Sequence, residues 1–490
     1  MTTTSDSMSH RCTRMNTDVS RRGRYPLLIS YLRPSNPSVA RWLFVALFLT
    51  AVPSLAADLR ITLRDAESAA LANNPTLAAA RFEAQAASRQ ETSQRSYLFP
   101  TLSLDGSYRW VDEVPSMQVA PGRTIELTDH RSNTIGVGAS WQIWDWGAAL
   151  EAWKSVQAQT ESRRQALRAS KRQALLAVRL SYFQVQAALE QSRLIADTLK
   201  LSQAQYRDIH TRYKAGTASR ADALAAHQEV LSWSRQFRAA RGELAAALRD
   251  LYAGMGIEPE SDLSLPMDSL TAKELPADTA PPSVVIAFDP LSENLMTLAQ
   301  DPATSPERGA PDASLPQPAQ LDALAQGSRR QAKAQKALLL PKVQVTARAS
   351  YDYPNGPVFE TIQQNMVGVS ASMPLFDWGR TLSQSRAASD QAQAYEKRRD
   401  QVVLDLQRDW LKTQDQLKSL EDQRELNRQS VAETKELAGL AYDSYKNGRI
   451  GFTEVEKANL KALQAAVQAA RTDVQVLVQR ALLAGLSKED

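Results

Sequence analysis

Four short stretches of the chain alternate apolar and polar residues with a period of two. In the first, Leu102, Leu104, Tyr108 and Trp110 interleave with Ser103, Asp105, Ser107 and Arg109. The second sets Ile135, Val137, Ala139, Trp141 and Ile143 against Thr134, Gly136, Gly138, Ser140 and Gln142. In the third, Val343, Val345, Ala347, Ala349 and Tyr351 alternate with Gln344, Thr346, Arg348 and Ser350; the fourth carries Val367, Val369, Ala371, Met373 and Leu375. A period of two over roughly 10 residues suits a strand with lipid on one side and a wet lumen on the other. The half-buried strands of a soluble sandwich share that period. Aromatic residues near the strand ends (Tyr108, Trp110, Trp144, Trp146, Phe376 and Trp378) favour the membrane reading, as an interfacial girdle.

A different pattern follows each strand pair. Residues 148–214 and 380–446 contain no proline, and no glycine except Gly439. They are rich in Ala, Gln, Leu, Arg, Glu and Lys, all good helix formers, and at 1.5 Å per residue each predicts a rod of roughly 100 Å. Gly216 and Gly448 close these rods as left-handed caps. Return helices are expected at 219–254 and 452–486, and a further helix before each strand pair, at 76–98 and 318–340.

The two sets of elements are one pattern written twice. Between 136–147 and 368–379, seven of twelve residues are identical, and the offset of 232 carries Tyr213-Lys214-Ala215-Gly216 onto Tyr445-Lys446-Asn447-Gly448. Upstream, Pro75 and Pro100 match Pro316 and Pro341 at an offset of 241, so the first copy holds nine extra residues where a surface loop varies. The expected organisation is a first repeat at 57–256, a Pro-rich linker with an insertion (301–315) at 257–317, a second repeat at 318–486 and a tail at 487–490. Only Leu291–Gln300 within the linker reads as helical.

Charge changes the picture at the N-terminus. Residues 1–41 carry seven Arg against Asp6 and Asp18, an apolar run Trp42–Val52 follows, and Ser54-Leu55-Ala56 supplies a small-x-small site. These features predict a secretory signal at 1–56, cleaved to leave Ala57. Without it, the 58 basic and 54 acidic residues become 51 and 52. The formal charge of +4 thus comes from the removed segment and gives no argument for nucleic acid. Cys12, the only cysteine, lies upstream of the cleavage site. The mature chain is therefore expected to lack disulfides, thiolate metal ligands and a lipidated cysteine. His10, His130, His210 and His227 show no ligand spacing. No triad or paired-carboxylate pattern stands out, so neither a cofactor nor an enzyme is expected.

Only helices and closed barrels satisfy the backbone in a bilayer, and four strands cannot close, since the smallest such barrels have about 8. The strands must come from several chains; strand count alone leaves a dimer or a trimer. Leu63-Arg64-Asp65-Ala66, Leu71-Ala72-Asn73-Asn74-Pro75, the Leu-Phe-Pro and Leu-Leu-Pro segments ending at Pro100 and Pro341, Pro374-Leu375-Phe376-Asp377-Trp378-Gly379-Arg380 and the two Tyr-x-x-Gly turns come next. In this order and duplication the chain resembles the TolC-like outer-membrane efflux proteins.

The resemblance implies a mainly α fold with transmembrane β: a homotrimer whose twelve-stranded outer-membrane barrel, four strands per protomer, continues into a long periplasmic α-helical barrel. It also implies a passive exit duct for a tripartite efflux pump or type I secretion system. The partners would be a periplasmic adaptor (membrane fusion) protein, an inner-membrane pump and outer-membrane lipid. Carried over by position, the helical tips Tyr213, Gly216, Tyr445 and Gly448 would meet the adaptor. Gate candidates are Asp222, Tyr445, Arg449 and Glu454, with ionic contacts among Asp222, Arg449 and Glu454 holding the entrance shut. Lys457 stands where the family places a second acidic residue. A soluble periplasmic coiled-coil scaffold without a pore is the competing reading; it explains the rods but not the strands.

Overall fold

The structure is a computed structural model that describes residues 59–258, 286–300, 311, 313–356 and 358–487. The expected signal at 1–56, its product end at Ala57, and most of the linker and its insertion lie outside these residues. In chain order the elements are β1 (Leu59–Ile61), α1 (Leu63–Asn73), α2 (Pro75–Ser96), β2 (Thr101–Trp110), β3 (Ser116–Ala120), β4 (Arg123–Glu126), β5 (Arg131–Trp144), α3 (Ala148–Lys214) and α4 (Arg220–Met255). After these come β6 (Ile286–Phe288), α5 (Leu291–Gln300), α6 (Pro316–Ala337), β7 (Lys342–Tyr353), β8 (Ile362–Ser372), α7 (Arg380–Lys446) and α8 (Phe452–Leu486).

The duplication governs the architecture. Both α3 and α7 run 67 residues, with the bounds the composition predicts. The helices ahead of the strands begin and end slightly earlier than expected. A proline opens each, where its missing N–H costs nothing, and each closes in a tight turn at Tyr97 or Leu338 with nearly the same dihedrals. Strand β8 stops at Ser372, short of Leu375, because Pro374 cannot donate to a ladder.

Three features escape the periodicity. Helix α1 is set by a capping box in which Thr62 and Asp65 satisfy each other's backbone N–H. The nine extra residues of the first copy form part of a β3–β4 hairpin. Strands β1 and β6 pair in parallel as a two-stranded clasp; at three residues each, they are too short to show alternation.

One antiparallel sheet of order β2-β5-β7-β8 joins the two copies through β5 and β7. Its register sorts the side chains by face. One face carries the rows Leu102–Ala139–Ala347–Val367, Leu104–Val137–Ala349–Asn365 and Trp141–Val345–Val369. The other carries Ser103–Gly138–Arg348–Met366, Asp105–Gly136–Ser350–Gln364 and Gln142–Gln344–Ser370. On that polar face Arg348 reaches across β5 to Asp105, 2.6 Å away, over two glycines that leave its path open. A Cβ on Gly136 would lie 2.7 Å from that of Ser350. Strands β2 and β8 pair on one side only, so the sheet has two open edges.

Strand turns into helix by the same device in both copies. Asp145 accepts from the backbone N–H groups of Gly147 (3.0 Å) and Ala149 (2.7 Å). Asp377 does the same for Gly379 (3.0 Å) and Thr381 (2.9 Å). Between them Trp146 and Trp378 both adopt φ +55°, a conformation that non-glycine residues reach only under constraint. The Trp146 indole N–H donates to the Pro341 carbonyl at 2.9 Å, tying the first copy's junction to the second copy's strand start.

Along the helices the core is centred on α3, α4 and α8. Tyr182, Phe183, Val178, Leu244, Leu248, Leu251 and Leu477 are fully buried there. The clasp seals one side: the Tyr182 hydroxyl donates to the Ile61 carbonyl at 3.0 Å, and Gln186 donates to the Asp289 carbonyl at 2.7 Å. Burial pushes the Tyr182 phenol up. The twin rods differ, however. Helix α3 buries residues from Ala148 to Ile209, whereas α7 buries only Thr381, Ser385, Ala392, Thr413 and Leu417 and leaves Leu404, Leu411, Leu426, Leu437 and Leu440 exposed. Among the described residues no helix is long and apolar enough to cross a membrane.

Candidate functional site

The two helical hairpins α3–α4 and α7–α8 turn beside one another. Gly216 and Gly448 sit at φ +76° and +69°. This left-handed geometry lets Thr217 and Arg449 return their N–H groups to the Arg212 and Ser444 carbonyls, at 2.9 and 3.0 Å. Beyond the first turn Ser219 caps α4 by accepting from the Asp222 N–H at 3.0 Å, whereas Gly451 offers α8 no side chain. Asp222 and Glu454 each lie in the first turn of their helix, where a negative charge complements the helix dipole.

A small apolar knot joins the hairpins. Ile209, Ala223, Ala226, Phe452 and Val455 are buried in it, with Tyr206, Tyr442 and Tyr445 packed around them. Tyr445 meets Phe452 edge-on at 5.6 Å and lies 6.5 Å from Tyr442. A polar network overlies the knot. The Tyr442 hydroxyl donates to Asp208 at 2.9 Å, Arg212 pairs with Asp208 at 3.2 Å, and the Lys446 ammonium stands 4.5 Å from the Tyr442 ring centre. Burial and the Asp208 carboxylate both push the Tyr442 phenol up. Burial raises Tyr445 as well, assisted by the charge of Asp222.

The site residues expected from sequence are therefore only partly brought together. Tyr445 belongs to the knot, while its twin Tyr213 is exposed. Within the chain, the expected contact among Asp222, Arg449 and Glu454 does not form. Glu454 instead takes Lys457 of its own helix, at 2.8 Å and one turn away, and Arg449 pairs with neither carboxylate. Residues three apart on one helix are neighbours on its surface, which brings Lys457 to Glu454. Sequence reasoning missed Asp208, Arg212, Tyr442 and Phe452. The duplication that guided it concealed them, since Tyr442 aligns with His210 and Asp208 with Leu440.

Deeper between α4 and α8, Glu229 accepts from the Trp233 indole at 3.2 Å. Burial holds its carboxyl above the usual carboxylate range. Glu456 is raised too, by burial and by the charge of Glu229.

The sequence pattern of outer membrane efflux proteins matches residues 67–257 and 316–487. The chain belongs to the outer membrane efflux protein family. Solved structures agree in fold. The CusC structure superposes with a TM-score of 0.68 at 18% identity, covering 90% of this chain and 96% of that one. VceC from Vibrio cholerae gives 0.66 at 15%, covering 86% and 95%. The Neisseria gonorrhoeae MtrE outer membrane channel, solved in an open state, gives 0.65 at 17%, covering 89% and 93%. No curated protein sequence shows a significant match. This outer membrane efflux protein therefore places its four-stranded sheet in the outer membrane and its helices in the periplasm, with the knot at the end of the helices farthest from the sheet.

Proposed function

We propose that the chain is the passive exit duct of a tripartite efflux pump or type I secretion system. It would work as a homotrimer with a periplasmic adaptor and an inner-membrane pump and carry out no chemical step itself. The observation that carries this reading is the sheet. One face is apolar, the other polar, and both edges are open. Lipid cannot satisfy an open edge, so copies of the chain must close it. Three copies give twelve strands and a lumen lined by the polar rows.

The same reading assigns 1–56 to a signal peptide, 57–256 and 318–486 to the two repeats, and 257–317 to their linker. The tips at Tyr213, Gly216, Tyr445 and Gly448 are the adaptor contacts. Asp222, Tyr445, Arg449 and Glu454 surround the gate, with Asp208, Arg212, Tyr442 and Phe452 added from the geometry. A relative of this fold solved in an open state supports a tip with more than one position. Native mass spectrometry of the protein from outer membranes tests the reading: three chains per particle are expected. A stable one-chain pore, or recovery wholly in soluble periplasm, would overturn it.

A further inference from the structure

The seam between the two copies is complete within the chain; the seam between two chains has both halves present but apart. Inside the chain, β5 of the first copy pairs with β7 of the second, and Trp146 at the end of β5 donates to Pro341 at the start of β7. The second copy ends β8 with the same Asp-Trp-Gly geometry: the same φ at tryptophan and the same aspartate cap. Ahead of β2, the first copy carries the same tight helix exit and the same proline, Pro100. Yet Trp146 is 52% exposed and Trp378 is 89% exposed, because no strand start of this chain lies beside β8. Its edge and the edge of β2 are both unpaired.

We propose that Trp378 is an inter-subunit clamp. Its indole N–H donates to the Pro100 carbonyl of a second copy and sets the register in which β8 joins that copy's β2. The inference rests on the reading of a closed ring and adds which residues meet.

The internal ladder supplies the register. Gly136 faces Ser350 and Thr134 faces Asp352 within the chain. Moved through the offsets of 232 and 241, that ladder sets Gly368 against Arg109, Ser370 against Ser107 and Ser372 against Asp105. Val367 falls opposite Trp110 and Val369 opposite Tyr108. Face is conserved throughout: polar rows stay with polar rows, and apolar with apolar, as a one-residue slip would not allow. The chain covers the sheet-end part of α3 with α6 of the other copy, where Ser155 donates to the Gly327 carbonyl, and the matching cover for the sheet-end part of α7 is α2 of the neighbour.

Cysteine cross-linking in purified outer membranes tests the register, since the mature chain is expected to carry no cysteine of its own. Ser370→Cys combined with Ser107→Cys should form intermolecular disulfides under mild oxidation, giving bands of two and three chains. Ser370→Cys with Ser103→Cys, four residues out of register, should not. Cross-linking of the second pair in preference to the first, or of neither pair in an intact trimer, would overturn the register. Absence of any oligomer before oxidation would instead sink the closed-ring reading.

The clamp has its own readout. Loss of one hydrogen bond per seam is worth about fivefold in an equilibrium constant, and about a hundredfold over three seams. Trp378→Phe should raise the trimer dissociation constant by that order in detergent titration. Trp146→Phe, whose seam is held together by the chain itself, should leave it within a fewfold. Equal effects from the two substitutions would remove the clamp.

Discussion

Replacing Phe452 by alanine tests the proposed closure of the periplasmic end. Phe452 is 1% exposed and sits at the centre of the knot joining the two hairpins, edge-on to Tyr445. Truncating a buried phenylalanine costs about 3–5 kcal/mol in a well-packed core, and the knot has few other buried residues to take up the loss. The large core around Tyr182 and Leu248 is a separate cluster, so the chain should stay folded while the tip alone loosens. Even 3 kcal/mol shifts a local open–closed equilibrium about a hundredfold, since each 1.4 kcal/mol is a factor of ten. Single-channel recording of Phe452→Ala in planar bilayers should therefore show higher conductance and longer openings than the parent. Native mass spectrometry and far-UV circular dichroism would confirm an intact trimer of unchanged helicity. An intact trimer with parental conductance would refute the reasoning and move the constriction elsewhere.

The charged residues of the tip should matter less. Exposed ion pairs contribute about 0–1 kcal/mol, so Arg449→Ala with Glu454→Ala should raise conductance by less than Phe452→Ala. The small effect should fade in high salt; a larger effect than that of Phe452→Ala would restore the ionic lock. The glutamate between α4 and α8 predicts a pH dependence. A carboxyl raised by folding favours the protonated chain, and its cost builds up as pH rises from the ordinary glutamate value and is complete once pH has passed the raised one. Glu229→Gln should thus raise the thermal midpoint at pH 7, with the gain vanishing near pH 4, in the ordinary glutamate range. A gain independent of pH would show that charge is not the cause. Two left-handed glycines should separate strain from crowding. Gly448→Ala meets open space and should cost about 1 kcal/mol, whereas a Cβ on Gly256 would lie 2.5 Å from the Asn73 carbonyl oxygen. Denaturant unfolding of Gly256→Ala should show a loss of more than about 2 kcal/mol, and equal losses at the two sites would contradict the crowding.

What was legible in the sequence is what repeats or runs long. An absence of proline, and of glycine but for Gly439, fixes α3 and α7 to the residue, and alternation fixes which strand positions share a face. Asp145-Trp146-Gly147 and its twin stand out as a conserved string within the chain, although only the structure shows the aspartate holding two N–H groups. The tip was half legible. Tyr445 and the glycines are found by comparing the copies, but Tyr442 and Asp208 bond to each other because the copies differ there. Self-comparison cannot reveal a contact between two unlike halves. Strands of three residues, such as β1 and β6, carry no period to read, and α1 is announced only by its cap.

The clasp of β1 with β6 bears on the order in which the molecule comes to exist. Leu59 pairs with Ile286, so the contact spans the whole first copy. Closing so long a loop is entropically unfavourable until the intervening chain is already compact. Tyr182 and Gln186 of α3 hold both sides of the clasp, and α3 must be wound before they are in place. A chain emerging N-terminus first into the periplasm cannot fasten this contact until Phe288 has arrived and the first hairpin has formed. The clasp is thus a late event in the assembly of the first copy, and the core around it is complete only when Leu477 and its neighbours on α8 arrive.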